Sequence, residues 1–344
     1  MQKHVVGRTS DAGVRRERRW GVILAGGDGT RLRRLTRSIA GDDRPKQFCA
    51  VIGDETLLSQ TQHRISQLIP RPRTLLVLTQ THEPFYKDLV WGLPSSRLLI
   101  QPCNRGTAPA ILYSLLHIRS RESDGVVAFF PSDHYFADDA AFIAHIDSAY
   151  AAAALRPEKL ILLGIPAETP EVDYGWIQPG ESLDGPVLDY VFTVSRFWEK
   201  PTLVLASALM EDGALWNSFV MVGHVSIFLK LIRNALPGLI ESFESIRSSS
   251  STEFERTALC DLYSGIPVSG FCQEVLSVQP DLLAVLRADG LGWSDLGEPG
   301  RVLSVLERKG VRTECGLDTD PRDGRMLVRE ESLIRRRPRK IYKI

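Results

Sequence analysis

Residues 22–31 read Val-Ile-Leu-Ala-Gly-Gly-Asp-Gly-Thr-Arg, an apolar run that breaks into three glycines and ends on a cation. The pattern predicts a buried strand followed by a phosphate-holding loop. Glycine lets the backbone approach an anion closely, and Arg31 offers forked donors to phosphate oxygens. An ordinary tight turn is the alternative. Two better-known loops are excluded: no Lys-Ser/Thr pair follows at P-loop spacing, and Leu32 occupies the third glycine position of the dinucleotide fingerprint.

Composition sets broad limits on the class of protein. The 344 residues carry no formal net charge, so bulk charge gives no argument for a nucleic-acid or membrane partner. Basic residues crowd segments 1–18 and 335–344, as is usual for solvated chain ends. Five cysteines without CxxC spacing argue against a disulfide framework or a zinc site. With no long apolar span and no apolar region near the start, we expect a cytoplasmic protein.

Apolar runs and helical periodicity alternate through the first half of the chain. Strands are predicted at 20–25, 74–79, 97–101, 125–130 and 159–164, and helices at 57–69, 108–118 and 142–150. This alternation predicts βαβ units around a largely parallel sheet whose strands are apolar on both faces. Further along, an extended stretch is predicted at 188–198, a strand at 282–286, a serine-rich loop at 245–252, and an irregular tail after 307.

Ligands of such sheets bind beyond the carboxyl ends of the strands, so those positions hold the candidate residues. Lys46, in the stretch Pro-Lys-Gln-Phe, is a second cation near the glycine loop. After the strand at 97–101, a helix is predicted to begin at Thr107, where free N–H groups would face a ligand. The alternative is that Thr107 is only a helix N-cap, with Pro109 in the first turn.

Two carboxylates follow predicted apolar segments. Asp133 ends the strand at 125–130, and Asp295 lies in the stretch Gly-Trp-Ser-Asp-Leu-Gly. A carboxylate at the end of a buried strand is costly unless it is paired or binds a cation, so Asp133 is a candidate Mg²⁺ ligand. A helix cap or a turn is the alternative for Asp133. His134 is predicted to be a hydrogen-bonded neighbour without a catalytic role.

The motifs LAGGDGTR, RPKQF, TAPA, PSDH, DYGWI, WEKP, WNS and WSDLG follow one another along the chain. In this order they resemble the sugar-1-phosphate nucleotidyltransferases, most closely the mannose-1-phosphate guanylyltransferase branch. The resemblance implies a Rossmann-like (GT-A-like) α/β fold with a mixed, mostly parallel central sheet flanked by helices. It also implies one catalytic domain over 19–307, a basic arm over 1–18, and a short tail over 308–344 that forms no separate domain.

The activity implied by this resemblance joins a nucleoside triphosphate, GTP in that branch, to a sugar 1-phosphate, mannose 1-phosphate in that branch. Pyrophosphate is released and Mg²⁺ is the cofactor, while the oligomeric state, including a homodimer, stays open. The implied catalytic residues are Arg31, Lys46 and Lys200. The implied nucleotide-binding residues are Leu24, Ala25, Gly26, Gly27, Gly29, Thr30, Arg31, Lys46, Thr107, Ala108 and Asp133. Gly175, Glu199, Lys200 and Asn217 would bind the sugar phosphate, and Asp133 and Asp295 the metal.

Three features depart from that branch. The segment 32–44 is longer than its counterpart, Gly106 stands where an asparagine is usual, and Phe219 replaces a glycine. By the resemblance, the loop of the first departure would lie over the triphosphate. The second departure weakens the argument for guanine, and the third weakens the argument for mannose. Another triphosphate and sugar-phosphate pair is therefore the first alternative, and a sugar-nucleotide-binding regulator without turnover is the second. Retention of Asp133, Asp295, Arg31 and Lys46 together disfavours the regulator.

Overall fold

The computed structural model describes residues 18–123, 125–183, 185, 188, 190–246, 252–311, 317–319 and 326–328. A nine-stranded sheet lies at its centre. The strands are β1 (Arg19–Leu24), β2 (Thr74–Thr79), β3 (Leu98–Gln101), β4 (Val126–Pro131), β5 (Leu160–Pro166), β6 (Gly175–Ser182), β7 (Val191–Glu199), β8 (Leu215–His224) and β9 (Leu283–Arg287). Two short strands, β10 (Leu317–Thr319) and β11 (Met326–Val328), pair antiparallel in a separate sheet.

Helices connect most of these strands. They are α1 (Arg33–Ala40), α2 (Leu57–Ile65), α3 (Glu83–Tyr86), α4 (Thr107–Arg119), α5 (Asp139–Leu155), α6 (Leu203–Glu211), α7 (Val225–Ala235), α8 (Pro237–Ile246), α9 (Thr252–Gly265) and α10 (Pro299–Arg308). Among the shorter turns, a 3₁₀ helix at Thr30–Leu32 follows the glycine loop, another spans Lys46–Phe48, and a π-helix spans Phe271–Leu276.

The sheet order is β3-β2-β1-β4-β8-β5-β9-β7-β6. Strands β1 to β4 run parallel to one another, as the βαβ pattern predicts, and β5 runs parallel to β9. Strand β8 lies antiparallel between β4 and β5, and β7 lies antiparallel to β6 and β9. The Rossmann-like α/β fold with a mixed sheet is confirmed. The periodicity alone did not identify β8, one of the two strands whose antiparallel pairing makes the sheet mixed.

Apolar layers cover both faces of the sheet. On one face Val22 and Phe129 pack with Ile111 of α4 and Phe228 of α7. On the other face the next residues, Ile23 and Phe130, pack with Leu58 of α2 and with Phe142 and Ile146 of α5. Each such buried side chain contributes roughly 1.5–3 kcal/mol, so the strands are held from both sides. The prediction of strands that are apolar on both faces is confirmed.

Some predicted segments lie partly outside the described residues. Helix α8 ends at Ile246 and α9 begins at Thr252, so most of the predicted serine-rich loop lies outside. The predicted basic arm is described only at Arg18, and the predicted tail only near its start and in β10 and β11. Within the described part of the chain, no helix combines the length and the apolar character that crossing a membrane requires.

Candidate active site

A cavity of about 380 Å³ lies at the carboxyl ends of β1, β3 and β4. Its wall includes ten of the predicted site residues: Leu24, Gly26, Gly27, Gly29, Thr107, Asp133, Gly175, Glu199, Asn217 and Asp295. The lining does not include Ala25, Thr30, Arg31, Lys46, Ala108 or Lys200. Ala25 and Ala108 are fully buried, and their N–H groups donate to the carbonyls of Val77 and Ser269, so neither residue lines the cavity. The structure thus brings the glycine loop, both carboxylates and three of the four predicted sugar-phosphate residues to one cavity.

The glycine loop is held from the protein side through its carbonyl groups. Gln47 Nε2 donates to the carbonyls of Ala25 and Gly27, at 3.1 and 2.7 Å, and Thr79 Oγ1 donates to the carbonyl of Gly26 at 2.9 Å. A Cβ at position 26 would lie 2.8 Å from Thr79 Oγ1, so only glycine fits there. Within the described part of the chain no acceptor pairs with the N–H groups of 26–29. These donors suit an anion.

Asp28 joins this loop to the loop before α4, a role that the sequence did not suggest. Its carboxylate accepts from Asn104 Nδ2 at 2.9 Å and lies 3.1 Å from His82 Nε2. Asn104 Oδ1 in turn accepts from the N–H of Gly106 at 2.9 Å. Burial lowers the pKa of His82, which favours the neutral ring and a donated Nε2–H. These contacts join the glycine loop to the loop before α4, and residues of both loops line the cavity.

The structure explains why residue 106 is a glycine. Its φ is +87°, and a Cβ there would lie 2.3 Å from the carbonyl oxygen of Ser269. That oxygen accepts from the N–H of Ala108 at 3.1 Å, which binds the segment before the π-helix to the start of α4. Gly106 is the N-cap, so the alternative that placed Thr107 there is wrong. Thr107 Oγ1 instead accepts from the N–H of Phe271 at 2.8 Å.

Lys46 connects the two segments that carry the carboxylates. Its Nζ lies 3.3 Å from Asp133 Oδ2 and donates to the carbonyls of Asp295 and Leu296, at 2.6 and 3.1 Å. The residue is buried. Asp133 is not a helix cap, because Asp138 caps α5 by accepting from the N–H of Ala141. Lys46 therefore ties the segment that carries Asp133 to the segment that carries Asp295.

Asp295 is held by residues that sequence reasoning missed. Arg301 Nη1 donates to its Oδ1 at 2.9 Å, and Tyr174 Oη donates to the same oxygen at 3.0 Å. Burial acts to raise the pKa of Asp295, but Arg301 and nearby cations outweigh it, so the pKa lies below the usual range. The carboxylate is thus ionised at neutral pH. The DYGWI motif located Tyr174, but no local signal pointed to Arg301.

Asp133 and Asp295 are the carboxylates that would hold a magnesium ion together with the phosphates of a nucleotide. No cluster of three or more His, Cys, Asp or Glu converges among the described residues, so the protein itself would supply few ligands. Magnesium commonly takes one or two carboxylates together with phosphate oxygens and waters. A Cβ at Gly297 would lie 2.3 Å from Asp295 Oδ2, so the space beside that oxygen exists only because residue 297 is glycine.

Glu199 and Asn217 also line the cavity. Gly175 lies between them, because a Cβ there would lie 3.0 Å from Glu199 Oε2 and 3.2 Å from Asn217 Cβ. Burial raises the pKa of Glu199, and the neighbouring Lys200 opposes this effect. Asn217 Nδ2 lies 3.4 Å from Cys272 Sγ, a lining thiol that the sequence did not mark as a site residue.

Three non-glycine residues adopt a left-handed backbone around this cavity. They are Lys200 (φ +50°), Phe219 (φ +60°) and Leu296 (φ +48°). The conformation costs roughly 1–2 kcal/mol for a residue with a Cβ. Phe219 thus occupies a backbone position that favours glycine, and it lines the cavity. Such strain is commonly stored at functional sites.

Other titratable side chains near the cavity also have hydrogen-bond or ion-pair partners. His134 Nδ1 accepts from Trp293 Nε1 at 3.2 Å, and burial lowers the pKa of His134 to about 4, so it is a neutral hydrogen-bonded neighbour, as predicted. In the long segment 32–44, Asp42 pairs with Arg44 and Asp43 pairs with Arg37. Arg31 lies beyond the cavity wall and pairs with Asp173 at 3.3 Å.

The fold and this cavity define a Rossmann-like α/β protein in which a glycine loop and two carboxylates line one cavity. The chain belongs to the nucleotidyl transferase family, whose model matches residues 20–308. Similarity to individual proteins agrees with this membership and points to one branch of the family.

The xanthan biosynthesis protein XanB of Xanthomonas campestris is 30% identical over 293 residues, which are 84% of this chain and 60% of that protein. Mannose-1-phosphate guanylyltransferase 2 of Escherichia coli O157:H7 is 30% identical over 80% of this chain and 57% of its own length. A Thermus thermophilus structure named mannose-1-phosphate geranyltransferase superposes with a TM-score of 0.70 at 27% identity, covering 81% of this chain and 76% of that one. The chain thus spans about three-fifths of the two sequence relatives.

Proposed function

We propose that this protein transfers a nucleoside monophosphate from a nucleoside triphosphate to a sugar 1-phosphate and releases pyrophosphate. GTP and mannose 1-phosphate are the proposed pair. One observation carries the proposal: the glycine loop, Asp133, Asp295, Glu199 and Asn217 all line one cavity. The family membership and the named relatives support the same reaction class.

In the proposed reaction a phosphate oxygen of the sugar phosphate attacks the α-phosphorus in line, and pyrophosphate leaves. That oxygen is already a nucleophile, so positioning and charge neutralisation account for the rate rather than a general base. The free N–H groups of the glycine loop would hold the departing phosphates. Asp133 and Asp295 would hold Mg²⁺, which supplies positive charge to phosphate oxygens.

The proposed cations differ in how they would reach the phosphates. Arg31 pairs with Asp173 on the surface, with both side chains about half exposed, and such a pair is worth little. Its guanidinium would exchange Asp173 for a phosphate at small cost. Lys46 would act on the reacting phosphates indirectly, because it holds Asp133 and the backbone carbonyls of Asp295 and Leu296 in place. Lys200 is exposed and follows Glu199 directly, so it would meet the sugar phosphate.

The test is pyrophosphate release from a panel of four nucleoside triphosphates against several sugar 1-phosphates, with and without Mg²⁺. We expect GTP with mannose 1-phosphate to react fastest. A different pair that reacts a hundredfold faster would refute the specificity, and the first alternative would replace it. If no pair reacts, the regulator becomes the better hypothesis, and binding of GDP-mannose measured by calorimetry would test it.

A further inference from the structure

A buried arginine lies against one of the two carboxylates proposed to hold the metal. Arg301, in α10, donates from Nη1 to both oxygens of Asp295, at 2.9 and 3.1 Å. Its Nη2 donates to Glu171 Oε2 at 2.6 Å, and the guanidinium lies 4.3 Å from the centre of the Tyr174 ring. The side chain is only 11% exposed. Arg301 is therefore held from three sides against Asp295.

The two carboxylate oxygens of Asp295 accept different numbers of hydrogen bonds. Oδ1 accepts from Arg301, from Tyr174 Oη at 3.0 Å and from the N–H of Gly297 at 2.9 Å. Oδ2 has one donor in the described structure, Arg301 at 3.1 Å. An ionised carboxylate offers about four acceptor positions, so Oδ2 is the oxygen with capacity for a cation. That cation would bind beside the guanidinium.

Asp133 has a different partner. Its counter-ion is Lys46, whose Nζ lies 3.3 Å from Oδ2 and also donates to two backbone carbonyls. A guanidinium keeps its charge at every accessible pH and grips a carboxylate through several donors, whereas an ammonium is a point charge with rotatable donors. Asp295 is thus held more firmly than Asp133, although both line the same cavity.

We propose that Arg301 is the resident counter-ion of Asp295 and keeps this carboxylate from binding a divalent cation until nucleotide phosphates bring one into the cavity. Asp133 is then the first carboxylate to bind the cation, and Asp295 joins it afterwards. Arg301 acts through Asp295 and is a positioning residue. The nucleotide step rests on the proposed function, but the cation affinity of the nucleotide-free protein does not.

The experiment measures Mn²⁺ binding to the nucleotide-free full chain by electron paramagnetic resonance. Arg301→Met removes the charge and keeps most of the apolar length, and we expect it to bind Mn²⁺ about tenfold more tightly or better. A unit charge a few ångströms from a dication has an effect of about this size even at the dielectric constant of water. Arg301→Lys keeps the charge, so its affinity should stay near that of the unmodified protein.

A double-mutant cycle assigns the effect to Asp295. Asp295→Asn alone should change the affinity less than about threefold, because Arg301 already occupies that carboxylate. The same substitution in the Arg301→Met background should remove the gain. Glu171→Gln is the matched control: it removes another carboxylate that pairs with Arg301, leaves the Arg301–Asp295 pair, and should not tighten Mn²⁺ binding.

Thermal unfolding with and without Mn²⁺ gives a second readout. A cation that binds the folded state more tightly stabilises it more, so Mn²⁺ should raise Tm more in Arg301→Met than in the unmodified protein. Arg301→Gln replaces the Met variant if the latter does not fold. The proposal fails if removing the charge leaves Mn²⁺ affinity unchanged or weaker, or if Asp295→Asn alone weakens it tenfold. A chain that releases no pyrophosphate would refute the proposed function and leave these results standing.

Discussion

Replacing Gly106 by alanine should destabilise the protein strongly, although it adds one methyl group near the surface. The added Cβ would lie 2.3 Å from the carbonyl oxygen of Ser269, which is backbone and cannot move aside by rotation. The residue also has φ +87° and ψ −175°, a conformation that is close to glycine-only. The substitution therefore forces either the backbone of Gly106 or the segment around Ser269 to shift.

The magnitude follows from two costs. The backbone conformation accounts for roughly 1–3 kcal/mol. Displacing the Ser269 carbonyl weakens its hydrogen bond from the N–H of Ala108, worth about 1 kcal/mol. We expect a loss of about 3 kcal/mol in the free energy of unfolding, which for a chain of this size lowers Tm by roughly 5–10 °C.

The assay is urea and thermal unfolding followed by circular dichroism. Gly27→Ala is the matched control, since it lies in the same cavity but a Cβ there meets nothing within 4 Å and its φ is not positive. We expect the control to unfold within about 0.5 kcal/mol of the unmodified protein. Equal midpoints for Gly106→Ala and the unmodified protein would refute the argument that Ser269 requires a glycine there.

Three further predictions test the cavity. Asp133→Asn should lower Mg²⁺-dependent pyrophosphate release at least about a hundredfold while the circular dichroism spectrum is kept; near-normal turnover would remove Asp133 from the proposed metal site. Glu199→Gln should flatten the pH dependence of stability. The folded-state pKa of Glu199 is raised, so its contribution is present below its ordinary value of 4.5 and is lost as pH rises through the folded pKa. Urea midpoints from pH 4 to 8 measure this, and parallel curves for both proteins would contradict it. Phe219→Gly removes the strain of a residue with φ +60°. It should therefore lower the free energy of unfolding by clearly less than the roughly 3–5 kcal/mol typical of Phe→Ala in a core. A loss of this full amount would show that the strain estimate is wrong.

Much of the parallel half of the fold is predictable from the sequence, because each apolar run and helical period is a local signal. Strands β1 to β5 and helices α2, α4 and α5 lie where that periodicity placed them. Strand β8 was missed as a central strand, since its antiparallel pairing with β4 and β5 depends on residues far away in the chain. The direction of pairing depends on the partner strands, so it cannot be predicted from a single apolar run.

The candidate site likewise contains residues that the sequence identified and partners that only the structure shows. The glycine loop and the carboxylates Asp133 and Asp295 are visible as strand-end motifs, and the structure brings them to one cavity. Their partners are not visible. Lys46 meets the backbone of Asp295 across 249 positions of the chain, and Arg301 meets Glu171 across 130. Nothing in the local sequence of Lys46 or Arg301 specifies which group the side chain will neutralise.

The sequence alone therefore determined the alternation of strands and helices, the glycine loop after β1 and the order of the motifs. These depend on short-range periodicity and on the backbone freedom of glycine. Only the tertiary structure decided which charges are paired, why residue 106 must be glycine, and that Phe219 adopts a strained backbone at the cavity wall. Those properties arise where segments distant in the chain come within a few ångströms of each other, and their energies exist only once the fold has formed.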